Sequence, residues 1–263
     1  MTKIRNSPVA LSIISTFVIT ALWMASTVFG QSQFTGTLAI SLVRAIINIA
    51  FAMVAVFLLG RINQINGLRH VFNLNRLGSG LFALLPVTAF FLFGLTIATA
   101  GISSIATDDI SIFPIIAFNQ LTSAFMQNVI FRGLLITALF IKLSGTQGER
   151  VKSIFKASAL YLVIYILLNI LNGNHIEPMQ LANTFIVGAG FCAAYMYSKN
   201  LLSLILVQSI WQIADSAIET FGVSADPQFT PLSLIAMLAI LISIVVFAIK
   251  FSKRAEPFII IDR

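Results

Sequence analysis

The sequence predicts an all-α fold, a polytopic bundle of about eight transmembrane helices, as one integral membrane domain over residues 1–263. Three observations predict it. Hydrophobic residues make up 58% of the chain and charged residues only 10%, with a mean hydropathy of +0.98. Apolar runs of about 18 residues or more recur, the length a helix needs to cross a bilayer. Lys and Arg fall in alternate loops, as the positive-inside rule requires. Barrel strands would be short and alternating, and these runs are neither.

The spans fall near 9–30, 38–59, 79–100, 113–141, 154–172, 180–198, 201–218 and 231–250. The first follows Lys3 and Arg5 and is too long for a signal-peptide core, so it reads as a retained helix. Residues 61–78 fit a segment lying on the membrane surface. The fourth span is about 29 residues, or ~43 Å as a straight α-helix, so it is expected to tilt or to project beyond the hydrocarbon.

The loops orient the bundle. Lys3, Arg5, Arg61, Arg69, Arg76, Lys142, Arg150, Lys152, Lys156, Lys199, Lys250, Lys253, Arg254 and Arg263 fall at one side. Asp108, Asp109, Glu177, Glu219 and Asp226 fall at the other. This predicts a cell-membrane protein with both termini cytoplasmic. It also accounts for the net charge of +7 without nucleic-acid binding. The lone cysteine, Cys192, excludes a disulfide framework and reads as a small packed hydrophobe. Gly188/Cys192 and Gly190/Ala194, each four apart, are sites for close helix packing.

Polar groups inside the spans are the candidates for function, because they usually face the bundle interior. Span four carries Asn119, Gln120, Gln127, Asn128 and Arg132, span five Tyr165 and Asn169, and span seven Gln208, Gln212 and Asp215 around Trp211. A single membrane amide is most simply helix glue. Arginine at mid-helix costs at least about 2.5–3.5 kcal/mol on insertion scales. Arg132 therefore needs carbonyls, amides, water or an acid, and Asn128 one turn away is a candidate partner. Arg44 in span two and Asp215 in span seven sit at similar depth toward the outer side, which suggests a structural ion pair.

The order of these helices, with the tripeptide FRG, resembles the CPBP family, also called the Abi or CAAX-protease family, of intramembrane proteases. Family motifs run Glu-Glu-x-x-x-Arg, Phe-x-x-x-His, and His-x-x-x-Asn or Asp on successive helices. They fall here on Gln127, Asn128 and Arg132 in QNVIFRG, on Tyr165 and Asn169 in YILLN, and on Gln208 and Gln212 in QSIWQ. The resemblance spans roughly residues 60–220 and implies a CAAX-protease-like bundle in a bacterial cytoplasmic membrane.

Its chemistry, as the resemblance implies it, needs a glutamate to activate water, with histidines beside it. Here the acid and base positions carry amides, which accept no proton near neutral pH and ligate metals poorly. The two histidines, His70 and His175, fall in loops on opposite sides, HExxH is absent, and no metal or other cofactor is expected. The reading that follows is a catalytically inactive pseudoprotease, with Gln127, Asn128, Arg132, Asn169, Gln208 and Gln212 lining a cavity that binds a membrane protein or peptide. Such partners include a sensor kinase, a cell-wall hydrolase, a secretion component or a bacteriocin system. The alternatives are an active CAAX-type endopeptidase, a small transporter or an unrelated immunity protein.

Overall fold

The computed structural model describes residues 7–34, 36–62, 71–100, 102–105, 110–137, 139, 146–171, 173, 175–224 and 230–255. Two long helices come first, α1 (Ser7–Gln33) and α2 (Thr37–Ile62). A 3₁₀ turn (Leu74–Arg76) leads into α3 (Leu77–Ala83) and α4 (Leu85–Ala100). Next come β1 (Ile102–Ile105), α5 (Phe113–Gln127) and a π-helix, π1 (Asn128–Ile136). The chain continues with α6 (Gln147–Leu171), α7 (Pro178–Ser198), α8 (Leu201–Phe221), β2 (Gly222–Ser224) and α9 (Pro231–Arg254).

Six of these helices are long and apolar enough to cross a membrane: α1, α2, α6, α7, α8 and α9. The third expected span is broken. Its pieces, Leu74–Ala83 and Leu85–Ala100, meet at 64° and could form a seventh crossing. Pro86 supplies the reason. It has no N–H to donate, and its ring would strike the carbonyl of Phe82 if the helix ran straight on. The ladder restarts where Thr88 N–H donates to the Leu84 carbonyl at 2.8 Å. The fourth expected span is not the uniform helix its length suggests. It is a 15-residue α-helix continued by the nine residues of π1.

An antiparallel ribbon joins β1 to β2, with Ile102 opposite Ser224 and Ile105 opposite Gly222. It ties the start of the α5 segment to the end of α8 and leaves the helical class intact. Much of the surface-helix reading of 61–78 lies outside the described residues, as do Lys3, Arg5, Arg69, His70, Asp108, Asp109, Lys142, Asp226 and Arg263. Of the strap that is described, Val71 accepts from Leu201 N–H at 2.8 Å, and Asn200 donates to the Asn73 carbonyl.

The outside of the bundle is apolar. Phe29 is 67% exposed, Ile46 65% and Ile242 63%, spread over α1, α2 and α9. Water would not tolerate so continuous an apolar surface, whereas lipid does. Polar groups turn inward: Trp23 Nε1 donates to Asn48 Oδ1 at 2.9 Å inside the α1–α2 pair. Replacing Asn48 with leucine strands that buried indole N–H. The expected loss is about 1–3 kcal/mol of stability, read as a lower melting temperature in mild detergent. An unchanged melt would show that the bond contributes nothing.

The interior is organised around two elements. One is α7, whose run Gly188–Met196 is buried throughout and packs against α6, α9, α4 and α3. Its glycines permit this: a Cβ on Gly188 would meet Ser158 Oγ at 2.8 Å. Ser158 donates to the Phe185 carbonyl on α7, which fastens the two helices together. The other is π1. All nine of its residues are buried, and it touches α1, α2, α5, α6, α7 and α8.

Candidate functional site

The polar residues of the three motif helices meet where α5 passes into π1. The wider i→i+5 spacing begins at Asn128, so the change of winding sits on the motif itself. Short π segments often mark functional sites. Asn128 is fully buried. Its Nδ2 donates to the Ala124 carbonyl at 2.8 Å and to Gln208 Oε1 on α8 at 3.0 Å. Gln208 Nε2 in turn donates to Gln127 Oε1 at 2.6 Å. Gln127 Nε2 donates to Ser123 Oγ at 3.1 Å, and Tyr161 OH on α6 donates to Gln127 Oε1 at 3.3 Å. The amides thus form one chain, Asn128 to Gln208 to Gln127 to Ser123, holding α5, α6 and α8 together.

Arg132 lies beside this chain and is 2% exposed. Its expected partner was Asn128, but the two do not bond: Asn128 Nδ2 donates elsewhere, and Asn128 Oδ1 is buried without a partner. The guanidinium instead sits between two rings, 4.9 Å from the Tyr161 centroid and 5.1 Å from that of Phe191 on α7. Such faces attract a cation, by about 2 kcal/mol or more once water is excluded. One of its nitrogens, Nη1, is buried without a hydrogen-bond partner.

A cavity of about 520 Å³ opens from this point. Arg132 and Gln208 line its inner part. Phe90, Phe91, Phe93 and Trp211 form an aromatic wall, in which Phe91 and Trp211 stack at 4.5 Å and 10°. Tyr165, Gln180, Asn183, Thr184, Gln212 and Asp215 form a polar side. The Oε1 of Gln212 and the Oδ1 of Asn183 are buried without partners.

The structure corrects two readings of the sequence. Of the six residues expected to line the cavity, Arg132, Gln208 and Gln212 do, while Gln127, Asn128 and Asn169 are not part of its lining. Asn169 sits one turn beyond Tyr165, and its amide donates to the Tyr165 carbonyl at 2.9 Å. The α6 residues that face the site are Tyr161 and Tyr165, which preserve an aromatic-x-x-x-polar spacing one turn earlier in YLVIY. Nor do Arg44 and Asp215 form an ion pair among the described residues. Arg44 lies on α2, which packs on α1 and α5, and its buried Nε has no partner. Asp215 lines the cavity. The depths of two residues in a bilayer can be read from sequence, but not the side of the bundle each one faces.

Some participants were missed altogether. Tyr161 was hidden because a tyrosine reads equally well as packing. Asn183 and Gln180 on α7 were a legible signal, two amides three apart in a span otherwise noted only for its small residues. Cys192 is buried, as expected for a packed thiol.

The donor set does not fit a catalytic metal. Among the described residues no group of three His, Cys, Asp or Glu side chains is close enough to hold one. The amide oxygens of Gln127 and Gln208 already accept hydrogen bonds within the network. An amide's nitrogen lone pair is delocalised onto its oxygen, so these groups lack the basicity to take a proton from water. What the arrangement can do is hold helices together, place a buried cation, and present unpaired donors and acceptors to whatever occupies the cavity.

Fold and site define a multi-pass helical membrane protein with CAAX-protease-type motif helices around an internal cavity. Over residues 109–214 the chain matches the family model Rce1-like, described as type II CAAX prenyl endopeptidase Rce1-like, in keeping with the family its motifs resemble. The match ends at the residue before Asp215 and is narrower than the 60–220 expected from sequence. No curated protein and no solved structure matches the chain significantly.

Proposed function

We propose that this protein is a catalytically inactive member of the CAAX-protease type that binds a membrane protein or peptide in the cavity its relatives would use for chemistry. The observation that carries this reading is the amide network. Asn128, Gln208 and Gln127 bond to one another where an acid and a base would be needed, and a roomy cavity stands beside them. Losing general acid–base groups costs about 10²–10⁴-fold each in rate. Binding survives such losses, because the cavity walls and Arg132 remain. The charge pattern supports a cell-membrane setting with both termini cytoplasmic.

The test has two arms. With the purified protein in nanodiscs, a prenylated CAAX-type peptide is expected to remain uncut over hours. With a photo-crosslinking amino acid in place of Phe93, irradiation of native membranes is expected to yield one discrete adduct with a membrane protein or peptide. Cleavage that disappears on changing Gln208 or Arg132 would establish an enzyme instead. Adducts of lipid mass alone would remove the partner.

A further inference from the structure

The cavity's unpaired polar atoms differ from end to end. At the floor is a donor, Arg132 Nη1, buried and unpartnered. On residues that are only half-buried are acceptors: the Asp215 carboxylate, and the oxygens of Gln212 and Asn183, which have no partner. Asp215 is the only carboxylate in the lining, and among the described residues no cation pairs with it. Trp211 stands between the two levels on α8, with Phe91 stacked on its ring.

We propose that the cavity takes a peptide segment in a fixed orientation, with a cationic group of the peptide held by Asp215, Gln212 and Asn183 and a backbone carbonyl reaching Arg132. This rests on the binding reading above and specifies what is bound. Gln208, at the level of the floor, and Asp215 are seven residues apart on α8. At 1.5 Å per residue they are separated by about 10 Å, which matches about three residues of extended chain. The aromatic wall of Phe90, Phe91 and Phe93 would cover the apolar side chains of that segment. A lipid fits less well. An acyl chain on the floor would leave Arg132 Nη1 unpaired against hydrocarbon, at a cost of several kcal/mol. An ethanolamine headgroup has its charges only two methylenes apart, too close to reach both levels.

The probe is radiolabelled acetyl-Lys-Leu-Leu-amide, with norleucine and glutamate versions in place of lysine. Saturation binding is measured to the full-length protein in phosphatidylcholine nanodiscs. The lysine peptide is expected to bind at least about tenfold more tightly than the norleucine peptide, the low end of what close charge pairs contribute at an interface. Asp215→Asn should erase that preference and Asp215→Glu should keep it. Arg132→Met should weaken the lysine and norleucine peptides alike. A lysine preference that survives Asp215→Asn would overturn the assignment. So would equal affinity for all three peptides, and in that case the binding reading itself stands. Saturable binding by none of them, with thermal stabilisation by added phosphatidylethanolamine, would overturn both and give the cavity to lipid.

Discussion

Replacing Gly190 with leucine should remove most of the folded protein. A Cβ at this position would lie 2.6 Å from Val87 Cγ2 on α4 and 2.8 Å from Ile244 Cγ2 on α9. Both neighbours are 1% exposed, so both are held inside the packed interior. Overpacking a core typically costs 1–3 kcal/mol, occasionally more. We expect about that for Gly190→Ala and at least about 3 kcal/mol for Gly190→Leu, from the same principle applied to a larger side chain. The damage should extend to the site. The next residue, Phe191, lies 5.1 Å from the Arg132 guanidinium, so displacing α7 uncovers a buried charge. Size-exclusion profiles and melting curves in mild detergent read this directly. Gly78→Leu is the control, since nothing lies within 4 Å of a Cβ there. A Gly190→Leu protein as monodisperse and heat-stable as the control would show that α7 does not depend on this close approach.

Gly190 also shows what the sequence could convey. Small residues four apart in an apolar span announce close packing, and α7 is packed closely on several sides. The apolar spans and the membrane class were equally legible, because hydropathy is summed over many residues and no single one decides it. Features that depend on one residue's context were not. Pro86 was a visible signal for the break between α3 and α4, but a proline inside a membrane helix can equally be tolerated. The π-helix carries no such signal, since NVIFRGLLI reads as ordinary apolar helix. The second motif slipped by one turn because Tyr165 satisfies a four-residue spacing in either direction, to Tyr161 or to Asn169. Only the packing of α6 against π1 selects the pair with Tyr161. The failed Arg44–Asp215 pairing has the same root, a side-chain direction that only assembly of the bundle determines.

The second large effect concerns the amide chain itself. Asn128→Asp changes almost no volume, yet it should cost about 1–3 kcal/mol, the scale for leaving buried hydrogen-bonding groups unmatched, even with the Arg132 guanidinium one turn away to offset the charge. Asn128 presents a donor to two acceptors, the Ala124 carbonyl and Gln208 Oε1. An aspartate would set a carboxylate oxygen against both, at a position with no exposure at all. Adding Gln208→His should recover much of the loss. An imidazole N–H can donate to the carboxylate, and such charge-assisted bonds are about twice as strong as neutral ones. The two changes should therefore be non-additive by about 0.5–3 kcal/mol, the range for residues in direct contact. Chemical denaturation of the two single variants, the double variant and the natural protein gives that coupling. A double variant no more stable than Asn128→Asp alone would mean that the two positions are not matched through this bond. Recovery would mean that the cluster accepts complete sets, amide with amide or acid with imidazole, and resists mixtures. Even then cleavage is not expected to return. The α6 residues facing the site remain Tyr161 and Tyr165, which supply hydrogen bonds and a ring face for Arg132 but no base suited to activating water near neutral pH.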